Sequence, residues 1–130
     1  EIYSAVESLP EVADTMMIDV EAEDGDSKLI MFVVPTKGHS VDAEMEAAVA
    51  SAIRASLSPR FVPDRLIAAP GIPYTLSGKK QELPIKRLYA GWPVAKVINA
   101  DAIATPEVLP WYIEQARLWR CDAPTEATRE

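Results

Sequence analysis

One cysteine and one histidine are all that 130 residues provide. A single Cys121 cannot close an internal disulfide, so the core must hold the fold, and a reducing compartment, the cytoplasm, is expected. His39 sits in a Gly-His-Ser turn with no second ligand or nucleophile beside it, which removes histidine-based metal binding and histidine-assisted nucleophiles. Aromatics are sparse, at 7%, and do not interleave with basic residues, so no stacking platform for bases is present. Positive charge is also short, with 13 Lys and Arg against 20 Asp and Glu and a net charge of -7. Nucleic-acid binding depends on cations neutralising phosphates, and this balance argues against it. No apolar run approaches the roughly 20 residues needed to span a bilayer, and no signal peptide is legible. The chain starts at Glu1 already in a helix-like pattern and without a methionine, as expected of a piece of something longer.

What remains is an ordinary globular balance, 48% apolar and 25% charged, of a length that suits one domain with a real core. The charge is unevenly distributed. Residues 1 to 26 hold acids and no base, whereas "KKQELPIKR" (79 to 87) sets Lys79, Lys80, Lys86 and Arg87 against Glu82 alone. A local basic patch on an acidic body suits a small anionic ligand better than a polyanion. The acid-rich opening lacks the spacing of a metal-binding loop and reads as a solvated strand face.

The hydrophobic pattern predicts a small α+β domain: a short, mainly antiparallel sheet of two or three strands, flanked by helices, with a C-terminal helical extension. Ile2, Val6 and Leu9 fall at helical spacing before Pro10. Met16, Ile18, Val20 and Ala22 alternate with acids as in a half-buried strand. A turn at Asp24-Gly25 leads into "KLIMFVVP" (28 to 35), a run that suits a strand covered on both faces. Ser40 is the expected cap of a helix whose stripe is Val41, Met45, Val49, Ala52 and Ile53, with Arg54 on the solvent side. "RLIAAP" (65 to 70) reads as a third strand and "LPIKRLYAG" as a short helix ending at Gly91. "TPEVLPWYIEQARLW" reads as a helix that becomes regular at Pro110, with Trp111, Tyr112 and Trp119 packing it. Residues 1–120 form the expected domain and 121–130 a frayed tail.

Between the third strand and the short helix lies "PYTLSGKK" (73 to 80). A Walker phosphate loop needs Gly five places before the Gly of Gly-Lys, and Ser or Thr after the Lys; Pro73 and Lys80 occupy those places. Both requirements fail. A bare Ser-Gly-Lys on a surface turn is ordinarily solvated charge, but the complete pattern of Pro73, Thr75, Ser77, Gly78 and Lys79 resembles the last signature motif of the adenylate-forming enzymes. "EIYSAVESLPEVADTMMIDVE" is similar to the stretch following that family's hinge, except that Tyr3 stands where the last Glu of Glu-Ile-Glu is usual. Many members also follow Ser-Gly-Lys with two residues and then an Arg; here Lys80, Gln81 and Glu82 follow instead. That departure, with "SPRFVPD" and the late "TPEVLPWY", resembles the acetoacetyl-CoA synthetase branch, over nearly the whole chain except its last ten or so residues.

The resemblance implies a small, mobile C-terminal domain whose Lys79 enters the active site of a larger N-terminal adenylating domain absent from this chain. It implies ATP with Mg, held mainly by that absent domain, CoA as co-substrate, and a small carboxylate, acetoacetate or similar. In adenylation a carboxylate attacks the α-phosphate, and an ammonium between the two anions screens their repulsion and stabilises the transition state. Lys suits this role as a compact charge on a long stem. Lys79 is also an expected target of reversible acetylation, which would cancel that charge. Arg54 falls where relatives place an Arg that meets a CoA phosphate, although the dipole at a helix end accounts for an Arg equally well. Arg60, Lys86 and Arg87 are candidates for holding anions, or plain surface charge. Nothing here would bind adenine or the acyl group, so the piece is expected to be inert alone. Two alternatives stay open: an adenylation domain that loads a carrier protein, and a non-catalytic α+β binding module with an accidental loop.

Overall fold

The structure, a computed structural model, describes residues 2–21, 25–99 and 102–128, with residues 121–128 given by backbone alone. The alternating segment folds as strand β1 (Val12–Glu21), with Met16, Ile18 and Val20 buried and Asp19 and Glu21 exposed. Ala22 and Asp24 lie outside the described residues; Gly25, with φ 89°, takes the left-handed conformation expected of a turn. Strand β2 (Ser27–Pro35) buries Ile30, Met31, Phe32 and Val33 in succession, as a strand covered on both faces must. Residues 22–26 are too few to carry the chain back across the sheet, so β1 and β2 pair antiparallel.

Strand β3 (Arg65–Ala68) completes a sheet of order β1-β2-β3 and pairs parallel with β2, from Ile30 opposite Arg65 to Val33 opposite Ala68. The sheet is therefore mixed. Its parallel half follows from the connection, because helix α2 (Ala43–Ser56) returns the chain to the starting end of its neighbour. The domain is α+β, as the hydrophobic pattern implies.

The chain clusters into two compact units, one of Glu1–Met17 with Leu29–Ile72, the other of Ile18–Lys28 with Pro73–Glu130. In the first, helix α1 (Ile2–Glu7) packs on α2 over a core of Val6, Val12, Met31, Val33, Met45, Val49 and Ile53. Buried Thr15 is satisfied by donating its hydroxyl to Glu7 Oε2 at 2.7 Å. One expectation needs correcting: Asp42, not Ser40, caps α2. The extended backbone of Asp42 lets its carboxylate accept the Met45 N–H at 2.9 Å, a donor that lies three residues on from the cap. Met45, Val49 and Ile53 are buried along the expected stripe with Ala52 half-buried beside them, but Val41 precedes the cap and packs on the core from outside the helix; Arg54 lies exposed in the last turn.

In the second unit, α3 (Glu82–Tyr89) packs against α5 (Leu109–Thr128), burying Ile85, Leu88, Tyr89, Tyr112 and Ala116. Trp111 meets Tyr112 edge-on at 4.7 Å and Trp119 lies 5.9 Å from Tyr89, so these aromatics serve packing. Gly91 (φ 98°) turns the chain out of α3, and Arg120 donates to the Leu88 carbonyl at the end of that helix. A short helix α4 (Val94–Val97) and a 3-10 turn at Pro106–Val108 precede α5, which becomes regular at Leu109, beside the Pro110 expected from the sequence. The segment expected as a tail continues as helix backbone to Thr128; its side chains, Cys121 included, lie outside the described residues.

Candidate functional site

The Pro73–Lys80 segment is a miniature hairpin within the second unit. Thr75 donates its N–H to the Lys79 carbonyl at 2.8 Å, and Gly78 donates to the Thr75 carbonyl at 2.9 Å, closing a tight turn over Leu76 and Ser77. Tyr74 and Lys80 bridge below it, and Gln81 donates to the Pro73 carbonyl at 2.9 Å. A three-residue loop of this kind ends on a residue in the left-handed region, and Gly78 supplies it with φ 92°. Thr75 does more than line the strand. Its Oγ1 accepts the Lys79 N–H at 2.9 Å and lies 3.0 Å from Ser77 Oγ. The Thr-x-Ser-Gly-Lys spacing is thus a physical unit: two hydroxyls and a glycine fix the backbone of the lysine.

Pro73 is buried at the base, while Ser77, Gly78 and Lys79 are exposed at the tip. Among the described residues no hydrogen bond or ion pair engages the Lys79 ammonium. The long side chain of Lys79 thus extends from a turn whose backbone is fixed by hydrogen bonds, exposed at its tip. Lys80 differs, being half-buried and bridged to Tyr74.

On its other edge the hairpin is joined by residues that sequence reasoning missed. Thr75 bridges Ile103 antiparallel, Ala104 donates to the Tyr74 carbonyl at 2.8 Å, and Leu76 donates to the Ala102 carbonyl at 3.1 Å. "AIAT" carries no strand signal at that length, and Thr105 before Pro106 reads as an ordinary cap for the turn that follows. In the structure Thr105 makes no cap bond; its Oγ1 accepts the Tyr74 N–H at 3.3 Å instead.

Several other basic residues have partners within the chain. Lys86 Nζ donates to Asp19 Oδ1 at 2.9 Å, the Arg87 guanidinium stacks 4.7 Å over the Trp92 ring, and Arg60 lies 5.9 Å from the Phe61 centroid. The hydrogen bond from Lys86 holds the Asp19 carboxyl below its ordinary range, outweighing the slight burial that would raise it. Arg54, in the first unit, forms no ion pair among the described residues. His39 is exposed and closes a turn through its backbone N–H to the Thr36 carbonyl. No group of three or more His, Cys, Asp or Glu among the described residues could hold a metal, and no described helix is long and apolar enough to cross a membrane.

Known proteins carry the same architecture. The solved acetoacetyl-CoA synthetase from Streptomyces lividans matches 90% of this chain with 17% of its own, at 39% identity and a TM-score of 0.80. Acetoacetyl-CoA synthetase of Caenorhabditis elegans is 37% identical over 115 residues, 88% of this chain, and acetoacetyl-coenzyme A synthetase of Rhizobium meliloti is 38% identical over 109 residues, 84% of it. The chain spans about 16% of the length of those two relatives. Residues 1–79, from the first helix to the exposed lysine of the hairpin, match the model of the AMP-binding enzyme C-terminal domain, and the chain belongs to that family.

Proposed function

We propose that this chain is the C-terminal domain of an acetoacetyl-CoA synthetase and that Lys79 is its adenylation lysine. The observation that carries the reading is the hairpin tip, where the Lys79 ammonium stands exposed and without a counter-ion among the described residues, on a backbone fixed by Thr75 and Gly78. In the reaction of such an enzyme an acetoacetate oxygen attacks the α-phosphorus of ATP, and the bond to pyrophosphate breaks. The CoA sulfur then attacks the acyl carbon of the adenylate and AMP departs. Negative charge gathers on the phosphoryl oxygens in the first step, and there an ammonium delivered by a mobile domain acts most strongly.

ATP with its magnesium, and acetoacetate, are assigned to a large N-terminal domain of the same polypeptide. CoA is assigned in part to this domain, with Arg54 as a phosphate contact; its exposure and lack of an ion pair among the described residues support that role. The same exposure makes Lys79 a candidate for reversible acetylation, which would remove the charge and stop adenylation. A cytoplasmic enzyme accords with a chain whose one cysteine leaves no internal disulfide to protect.

Lys79→Ala in the full-length enzyme tests the central assignment. Adenylation, followed as pyrophosphate release, should fall roughly 10²–10³-fold, the usual loss for one preorganised donor. Thioester formation from supplied acyl adenylate should stay near its original rate. Equal loss in both steps would mean that the substitution damages the fold, and the role would be withdrawn.

A further inference from the structure

The family match ends at Lys79, yet the hairpin that presents this lysine is completed by residues well beyond it. A two-stranded hairpin alone is marginal in water, and a third strand is what ordinarily makes such a ribbon persist. The Tyr74–Leu76 limb is the middle strand here. On one edge the Thr75 amide bonds the Lys79 carbonyl. On the other, the Tyr74 carbonyl accepts from Ala104, the Leu76 amide donates to Ala102, and the Tyr74 amide is received by the Thr105 hydroxyl. Alternation along the strand divides these groups between the two edges, so removing the outer partners would leave a limb bonded on one side only.

We propose that Ala102–Thr105 is a positioning strand for Lys79. The segment touches no reacting atom. It holds the limb whose Thr75 hydroxyl and carbonyl fix the Lys79 and Gly78 amides, and so confines where the ammonium stands. The C-terminal extension is thereby part of the adenylation device rather than an appendage to it. Thr105 is the side chain that commits to this role, since its hydroxyl serves the hairpin and not the turn it begins. The inference rests on the reading of Lys79 given above.

The test uses the full-length enzyme with Thr105→Val, Thr105→Ser and Ala104→Pro, measured beside Lys79→Ala in both half-reactions. Thr105→Val removes the acceptor for the Tyr74 amide at nearly constant shape, and adenylation should fall about two- to tenfold. Thr105→Ser, which restores the hydroxyl, should recover most of that loss. Ala104→Pro deletes the donor to the Tyr74 carbonyl and should cost about tenfold or more in the same step. Thioester formation from supplied adenylate should change less than about twofold in all three, while the loss in adenylation should fall on kcat rather than on KM for acetoacetate. A merely structural strand would slow both steps together, and that result overturns the proposal. Unchanged adenylation in both Thr105→Val and Ala104→Pro overturns it too, provided Lys79→Ala remains defective. Should Lys79→Ala itself adenylate normally, the assignment of the lysine fails first and takes this inference with it. If Ala104→Pro does not fold, the Thr105 pair decides alone.

Discussion

Gly78 offers the sharpest examination of why the loop has its sequence. Its φ of 92° is disfavoured for residues with a Cβ, and a Cβ built there would have nothing within 4 Å. Backbone strain and crowding are therefore separable at this position. An L-residue in the left-handed region costs about 1–2 kcal/mol, and replacing glycine returns about 0.4–1 kcal/mol by restricting the unfolded chain. The net expected for Gly78→Ala is a loss of about 1 kcal/mol, or a melting shift of roughly 3–5 °C in a chain of this size. Because the site is open, Gly78→Ser and Gly78→Leu should cost about the same as alanine. Gly78→Asn should cost less, since asparagine tolerates the left-handed region. Thermal and urea unfolding of the four variants would measure this, and adenylation by the same variants in the full-length enzyme should follow the same order. A cost that climbs with side-chain size would refute the reasoning, because crowding would then set the requirement. Equal stability of alanine and glycine would refute it as well.

Asp42→Ala should lose about 1 kcal/mol in urea unfolding through the cap on α2, whereas Ser40→Ala should lose almost nothing. Ile53→Ala, which empties a fully buried position in the first unit, should cost about 2–5 kcal/mol by the same measurement. Asp19 is held below its ordinary value of 3.8, chiefly by the hydrogen bond from Lys86. Its contribution is therefore complete above about pH 4 and is lost as pH falls through the lowered folded-state value. Both partners are about half exposed, so Asp19→Asn should remove only about 0.2–1 kcal/mol at neutral pH, and the difference from the parent should shrink as the solution is acidified.

The local structure was largely legible because it depends on spacing along the chain. Met16, Ile18 and Val20 declare a strand by alternation, and Met45, Val49 and Ile53 declare a helix by their four-residue repeat. The turn ahead of Lys79 was legible for the same reason, although its pairing into a hairpin was not. Thr75, Ser77 and Gly78 act on Lys79 across at most four residues, so the motif carries its own geometry. Even the displaced cap of α2 was a local error, a choice between two side chains that can both accept a bond.

Long-range pairing was another matter. Whether the third strand runs parallel to the second is set by how α2 returns the chain to β2, and nothing in "RLIAAP" records its direction. The partnership of Ala102–Thr105 with Tyr74–Leu76 is made mainly of backbone groups, and every non-proline residue carries the same backbone donor and acceptor. Side chains write the sequence signal, so a contact made chiefly through the backbone leaves almost no trace in it. The amino-acid order determined the local turn that carries Lys79; only the tertiary structure paired that turn with Ala102–Thr105.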